Sequence, residues 1–140
     1  MKNKLFLILL ITSSCSKLFA QPIDTLSVIN NILAKSCQKE KMTCDEMSIF
    51  VCSYSDFLTN NIELCEFRNE ALFAIMNSDN LALFLSTLKN QKSYIPRILY
   101  DLAHPLHDII NVDSCIHRLK NLNNIENLEK QILDILETIK

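Results

Sequence analysis

The sequence predicts an all-α fold, a single compact bundle of about six to seven short helices stapled by disulfides. Three observations predict it. The 140-residue chain contains no glycine, where average usage of about 7% would place roughly ten. Apolar residues recur at helical spacing in a series of short segments. Asparagines punctuate those segments, and asparagine is the residue after glycine that best tolerates the left-handed conformation closing a helix. Without glycine, tight β-hairpin turns lose their favoured residue. Phosphate-cradling glycine loops and glycine-flanked serine elbows are excluded outright.

The elements follow in order. Leu26, Ile29, Ile32 and Leu33 place a first helix over about 24–35, ended by the polar stretch 36–41. Thr43 and Glu46 form a capping box, and Met47, Phe50, Val51, Tyr54 and Leu58 mark the second helix. Asn60-Asn61 break it before a third carrying Leu64, Phe67, Ala71, Ala74 and Ile75. After a turn over 77–80, Leu81, Phe84, Leu85 and Leu88 define a fourth. Ser93 is placed to cap a fifth, with Pro96 tolerated in its first turn and His104-Pro105 ending it. A sixth starts near Asp113 or Ser114. The last is capped by Asn123 and Glu126, and its stripe of Ile125, Leu128, Ile132, Ile135, Leu136 and Ile139 spans about 100°. No linker or repeat interrupts this, so residues 21–140 read as one helical domain.

Residues 1–20 read as a signal peptide. Lys2 and Lys4 precede seven uninterrupted apolar residues, Leu5 to Ile11, the charged and hydrophobic parts of an export signal. That run is too short for a membrane span, which needs about 20 residues, and no later stretch reaches that length, so no transmembrane segment is expected after signal removal. Cleavage after Ala20 is the first reading. The alternative is Thr12-Ser13-Ser14-Cys15, similar to a bacterial lipoprotein box, in which Cys15 carries the lipid anchor. The protein is therefore expected in the periplasm or secreted, or else held at the membrane as a lipoprotein.

Removal of 1–20 takes away Lys2, Lys4 and Lys17 and no acid, moving the formal charge from −2 to −5. Phosphate backbones require concentrated Lys and Arg, and no basic cluster remains, so nucleic acid is excluded as a partner.

Cys37, Cys44, Cys52, Cys65 and Cys115 remain, and in an exported chain they read as a disulfide framework. Cys37 with Cys44 would staple the first inter-helix connection. Cys52 with Cys65 would face each other across the Asn60-Asn61 turn, leaving Cys115 as a free, reactive thiol. No spacing matches a redox CxxC or a zinc pattern.

His104, His107 and His117 lie within fourteen residues, and Asp101 and Asp108 flank the first two. Imidazole and carboxylate ligate zinc, so this cluster defines a metal-binding alternative, although Pro105 disturbs the register of His104 against His107. No nucleophile, base and oxyanion set is visible, and no cofactor is expected. Phe73 and Leu133 depart from the inward stripes of their helices and are the candidates for an apolar contact with a partner, the alternative being burial against another helix.

Together these features lead to an exported helical interaction protein of the inhibitor, immunity or chaperone type, with another protein as its partner. A carrier of lipid or a small apolar ligand is the second reading, and the histidine metal site the third.

Overall fold

The computed structural model describes residues 25–55, 61–108 and 110–140. Residues 1–20, read from the sequence as a signal peptide, and with them Cys15, lie outside the described residues. Among the described residues the chain forms seven α-helices, a short 3-10 turn over Lys92–Tyr94, and no strand: α1 (Thr25–Cys37), α2 (Cys44–Cys52), α3 (Ile62–Met76), α4 (Leu81–Asn90), α5 (Ile95–Ala103), α6 (Val112–Lys120) and α7 (Asn127–Ile139).

Helix α3 is the centre. It packs most extensively on α1 and also touches α4, α5 and α6, while α2 pairs with α4, and α7 closes over α5 and α6. The run Ala71-Leu72-Phe73-Ala74-Ile75-Met76 explains that position, because a helix apolar all round must be covered all round. Ile29, Ile32, Met47, Phe50, Leu72, Phe84, Ile98, Ile132 and Leu136 are fully buried in one core. Each such side chain contributes roughly 2 kcal/mol of transfer free energy. No single described helix is long and apolar enough to cross a membrane, and the chain bends by 116° between α3 and α4.

The helix ends obey local chemistry, though not always at the expected residue. The capping box at α2 forms as read: Thr43 Oγ1 accepts from the Glu46 amide at 3.2 Å, and Glu46 Oε2 accepts from the Thr43 amide at 2.9 Å. Asn61 caps α3 by accepting from the Leu64 amide at 3.1 Å. The cap of α6 is Asn111, which accepts from the Ser114 amide at 2.9 Å, in place of Asp113 or Ser114. The expected Asn123–Glu126 box is absent, since Glu126 itself occupies the cap position of α7. Ser93 lies in the 3-10 turn and caps nothing, and Pro96 occupies the first turn of α5.

The left-handed role assigned to asparagine is filled elsewhere. Among the described non-glycine residues only Lys39 has positive φ, at 60°. Beyond the end of α1, Glu40 N–H donates to Lys35 O at 2.9 Å and Lys39 N–H to Ser36 O at 3.2 Å. This is a Schellman closure with lysine where glycine is usual. The asparagines serve instead as N-caps (Asn61, Asn111), as C-caps with negative φ (Asn77, Asn121) and as buried clamps (Asn69, Asn80).

The disulfide framework is a correction. No two of the five described cysteines stand at bridging distance. Cys37 and Cys44 are exposed at the ends of α1 and α2, because the connection between them is held in a fixed path by Asn80. Its Oδ1 accepts from the Met42 amide at 2.8 Å, and its Nδ2 donates to Glu40 O at 2.9 Å. Cys52 is turned toward α4, donating to Gln91 Oε1 at 3.4 Å, whereas Cys65 accepts from Arg68 Nη2 at 3.7 Å. Each sulfur is committed to a different neighbour.

Candidate interaction surface

Helix α5 stops where the sequence requires. His104 precedes Pro105, leaves helical angles (φ −131°, ψ 71°) and becomes the C-cap. A helix end leaves carbonyls without intrahelical partners, and here a buried side chain of α3 answers them. Asn69 Nδ2 donates to Asp101 O at 3.0 Å and to His104 O at 3.3 Å, and its Oδ1 accepts from the Leu106 amide at 3.0 Å. Three bonds from one asparagine fix the backbone from Asp101 to Leu106.

Arg68 props the same turn from inside. It is 2% exposed, its guanidinium lies 4.1 Å over the Tyr54 ring, and Nη1 donates to Ser53 O at 3.0 Å. Nη2 reaches Asp101 Oδ2 at 3.5 Å. That pair is long, and burial raises the Asp101 carboxyl above its ordinary value despite the opposing Arg68 charge. The pair therefore positions α5 on α3 more than it stabilises the fold. Burial likewise pushes the Tyr54 phenol well above its usual range, so it stays neutral. The Tyr54 hydroxyl and Arg68 Nε have no hydrogen-bond partner among the described residues.

On the outer side of this turn, Tyr100 is 63% and Leu106 54% exposed. The Tyr100 and His104 rings stack with centroids 4.2 Å apart and planes 27° apart. His104 Nδ1 lies 2.7 Å from Tyr100 O. A carbonyl only accepts, so Nδ1 is the donor in this contact. Tyr100, His104, Pro105 and Leu106 are all exposed, the first two stacked and the last three consecutive in the chain, and we refer to them as a ridge.

The residues singled out from the sequence land differently. Phe73 is buried at 2% exposure, because α3 is covered on the side that its apolar stripe alone left open. Leu133 is half-buried against the core. Neither is an exposed contact. The histidine cluster does not assemble: among the described residues no three His, Cys, Asp or Glu side chains converge to hold a metal. His104 is turned onto Tyr100, Asp101 onto Arg68, and exposed His117 contacts Asn121 at 3.1 Å. His107 is half-buried and Asp108 exposed. Cys115 is fully buried, its thiol lies 3.9 Å from Phe73 O, and burial pushes it up to about 12. A thiol in that state is a packing residue and not a reactive one.

Two open depressions flank Lys89 between α4 and α7. One of about 430 Å³ is lined by Lys89, Lys92, Glu126 and Gln131 among others, and one of about 210 Å³ is lined by Leu85, Leu122, Asn123 and Glu129 among others. Lys89 bonds Glu129 at 2.6 Å and Glu126 at 3.1 Å. Burial alone would raise Glu129, but Lys89 and nearby backbone amides outweigh it and hold the carboxyl below its usual range. The walls of both depressions mix these charged groups with apolar side chains, Ile95 and Leu128 in the larger and Leu85 and Leu122 in the smaller.

Sequence reasoning missed Tyr100, Leu106, Arg68 and Asn69. Tyr100 stands off the Ile95, Ile98, Leu99, Leu102 stripe, and Arg68-Asn69 interrupts an otherwise apolar α3, so both signals were present. Comparison with known protein families, with characterised proteins and with solved structures finds no match to this chain.

Proposed function

We propose that the chain is an exported interaction protein, of the inhibitor, immunity or envelope-chaperone kind, and that it binds another protein through the Tyr100–His104–Leu106 ridge. One observation carries this reading: two large apolar side chains stand exposed, Tyr100 in the last turn of α5 and Leu106 just beyond it, where buried Asn69 clamps the backbone. Scattered exposed apolar residues need no explanation. Exposed apolar residues on a clamped backbone are different, because they meet a partner with a smaller ordering penalty. Aromatic side chains on such supports are common anchors of binding energy. Export rests on Lys2, Lys4 and the apolar run Leu5 to Ile11.

Photo-crosslinking in the native host tests the reading. A photoreactive amino acid at position 100 should give a discrete crosslinked protein band that disappears in a Leu106→Ala background. The same reagent at position 130, on the exposed side of α7, should not give that band. Identical bands at both positions, or a band indifferent to Leu106→Ala, would refute the ridge. N-terminal sequencing of exported material should begin near Gln21, and a start at the initiator methionine would refute export.

A further inference from the structure

Helix α3, which carries the Asn69 clamp, also carries an acidic stripe, with Glu63 and Glu66 exposed and Glu70 half-buried. Glu63, Glu66 and Glu70 recur at spacings of three and four, which places them on one helix face. Glu66 lies one turn before Asn69 and Glu70 directly follows it, so the stripe borders the turn that Asn69 clamps. Asp108 is exposed two residues beyond Leu106.

None of these four carboxylates has a cationic partner among the described residues. The one basic residue of α3, Arg68, is turned into the core. Elsewhere the pairing is different: Glu46 pairs with Lys35, Asp79 with Arg118, Asp113 with Lys140, Glu126 and Glu129 with Lys89, and Glu137 with Lys120. Glu40 and Asp45 lack a partner too, near Lys39 and Lys41 in the sequence, and Asp134 lacks one on α7. Among the described residues, only on α3 do unpaired carboxylates line up on one helix face. Like charges at these spacings repel, and an incoming cationic surface removes that repulsion.

We propose that the ridge and the α3 stripe together recognise a basic amphipathic segment of the partner. Its apolar side covers Tyr100 and Leu106, and its lysines or arginines face Glu63, Glu66, Glu70 and Asp108. This rests on the ridge being the contact surface and adds the partner's chemistry. Charge of this kind sets specificity and association rate, and it is screened by salt.

The test uses a synthetic helical peptide of roughly 18 residues with leucine on one face and lysine on the other, beside a counterpart with glutamate for lysine. Binding to the mature protein is followed by fluorescence anisotropy across a salt series. The lysine peptide should bind and the glutamate peptide should not. Glu63→Gln, Glu66→Gln and Glu70→Gln combined should weaken binding about tenfold at low salt and flatten its salt dependence. A control with the same charge change, Glu40→Gln, Asp45→Asn and Asp134→Asn combined, should bind as wild type does. Equal loss in both triple variants would reduce the effect to net charge and overturn the proposal. An unchanged α3 triple variant would also overturn it, while the ridge survives if Tyr100→Ala with Leu106→Ala still abolishes binding. Indifference to every variant would overturn both. Circular dichroism of each variant confirms that it is folded.

Discussion

Two buried asparagines do the same work in two parts of the molecule. Asn80, 4% exposed, clamps the α1–α2 connection through Glu40 O and Met42 N–H; Asn69, 1% exposed, clamps the α5 end through Asp101 O, His104 O and Leu106 N–H. Both replace water for backbone groups that a helix end leaves open. What they hold up differs. The Asn80 loop displays Lys39, Glu40 and Lys41, while the Asn69 turn displays Tyr100, Pro105 and Leu106. A rigid loop with a solvated surface is structural, and the same device under an apolar surface is a reason to expect a partner.

Arg68 is a second prop that the Asn80 loop lacks, and its removal should have the largest effect. Arg68→Ala leaves Ser53 O and the Asp101 carboxylate without their donor and opens space under Tyr54. The expected destabilisation is about 3 kcal/mol, measured by urea unfolding. A loss within experimental error would mean that water replaces the guanidinium and that the turn needs no inner prop.

The asparagines themselves come next. Asn69→Ala and Asn80→Ala should each cost about 2 kcal/mol, because a lost bond to a buried backbone group is worth about 1 kcal/mol and leaves its partner unmet. Only Asn69→Ala should also weaken peptide or partner binding at a temperature where both variants are folded. Equal binding by the two would break the contrast between a structural clamp and one that supports a contact surface.

The two sides should respond to acid with opposite sign, because Lys35 and the Thr43 amide hold Glu46 below its ordinary value beside the Asn80 loop, whereas Asp101 beside Asn69 is raised. Burial raises Asp101 above its ordinary 3.8, offset in part by Arg68, so the folded state binds this proton more tightly than the unfolded chain does. The contribution to stability is fully present below the ordinary value and is lost as pH rises through the raised one. Wild type should therefore gain stability relative to Asp101→Asn as pH falls through that window. Stepped-pH denaturation would show it, and a constant difference between the two proteins would contradict it.

The smallest effect concerns the stripe. Glu66→Gln or Glu70→Gln removes like-charge repulsion on α3 and should raise stability by about 0.3 kcal/mol at low ionic strength, while weakening the lysine peptide. Thermal melts at low and high salt would detect it, since salt should erase the difference.

Much of the fold was legible because it is governed by short-range patterns. The period of apolar residues located the helices, Thr43 and Glu46 announced the start of α2, and His104-Pro105 marked the end of α5. The contact surface was harder to read. Phe73 looked misplaced on one stripe, yet α3 is enclosed on several sides, and a wheel drawn for one helix cannot show how many neighbours it has. The cysteine pairing failed for a related reason: spacing in the chain says which thiols are near in sequence, but not that Asn80 and Gln91 direct the backbone and the sulfurs elsewhere.

The helical periodicity and the Thr43–Glu46 capping box were determined by sequence alone, since each depends on residues within a turn or two of one another. Which residue takes the left-handed position was not, and Lys39 does so under the hold that Asn80 exerts from the start of α4. The same holds for the ridge. Tyr100 and Leu106 are ordinary residues in the sequence, and Asn69 is an ordinary polar break in an apolar helix. Only packing of α5 on α3 brings the amide beneath the turn, where its side chain satisfies backbone groups from more than thirty residues away. Tertiary structure decided this because a buried backbone group must find a donor or acceptor, and the nearest one in space lies far along the chain.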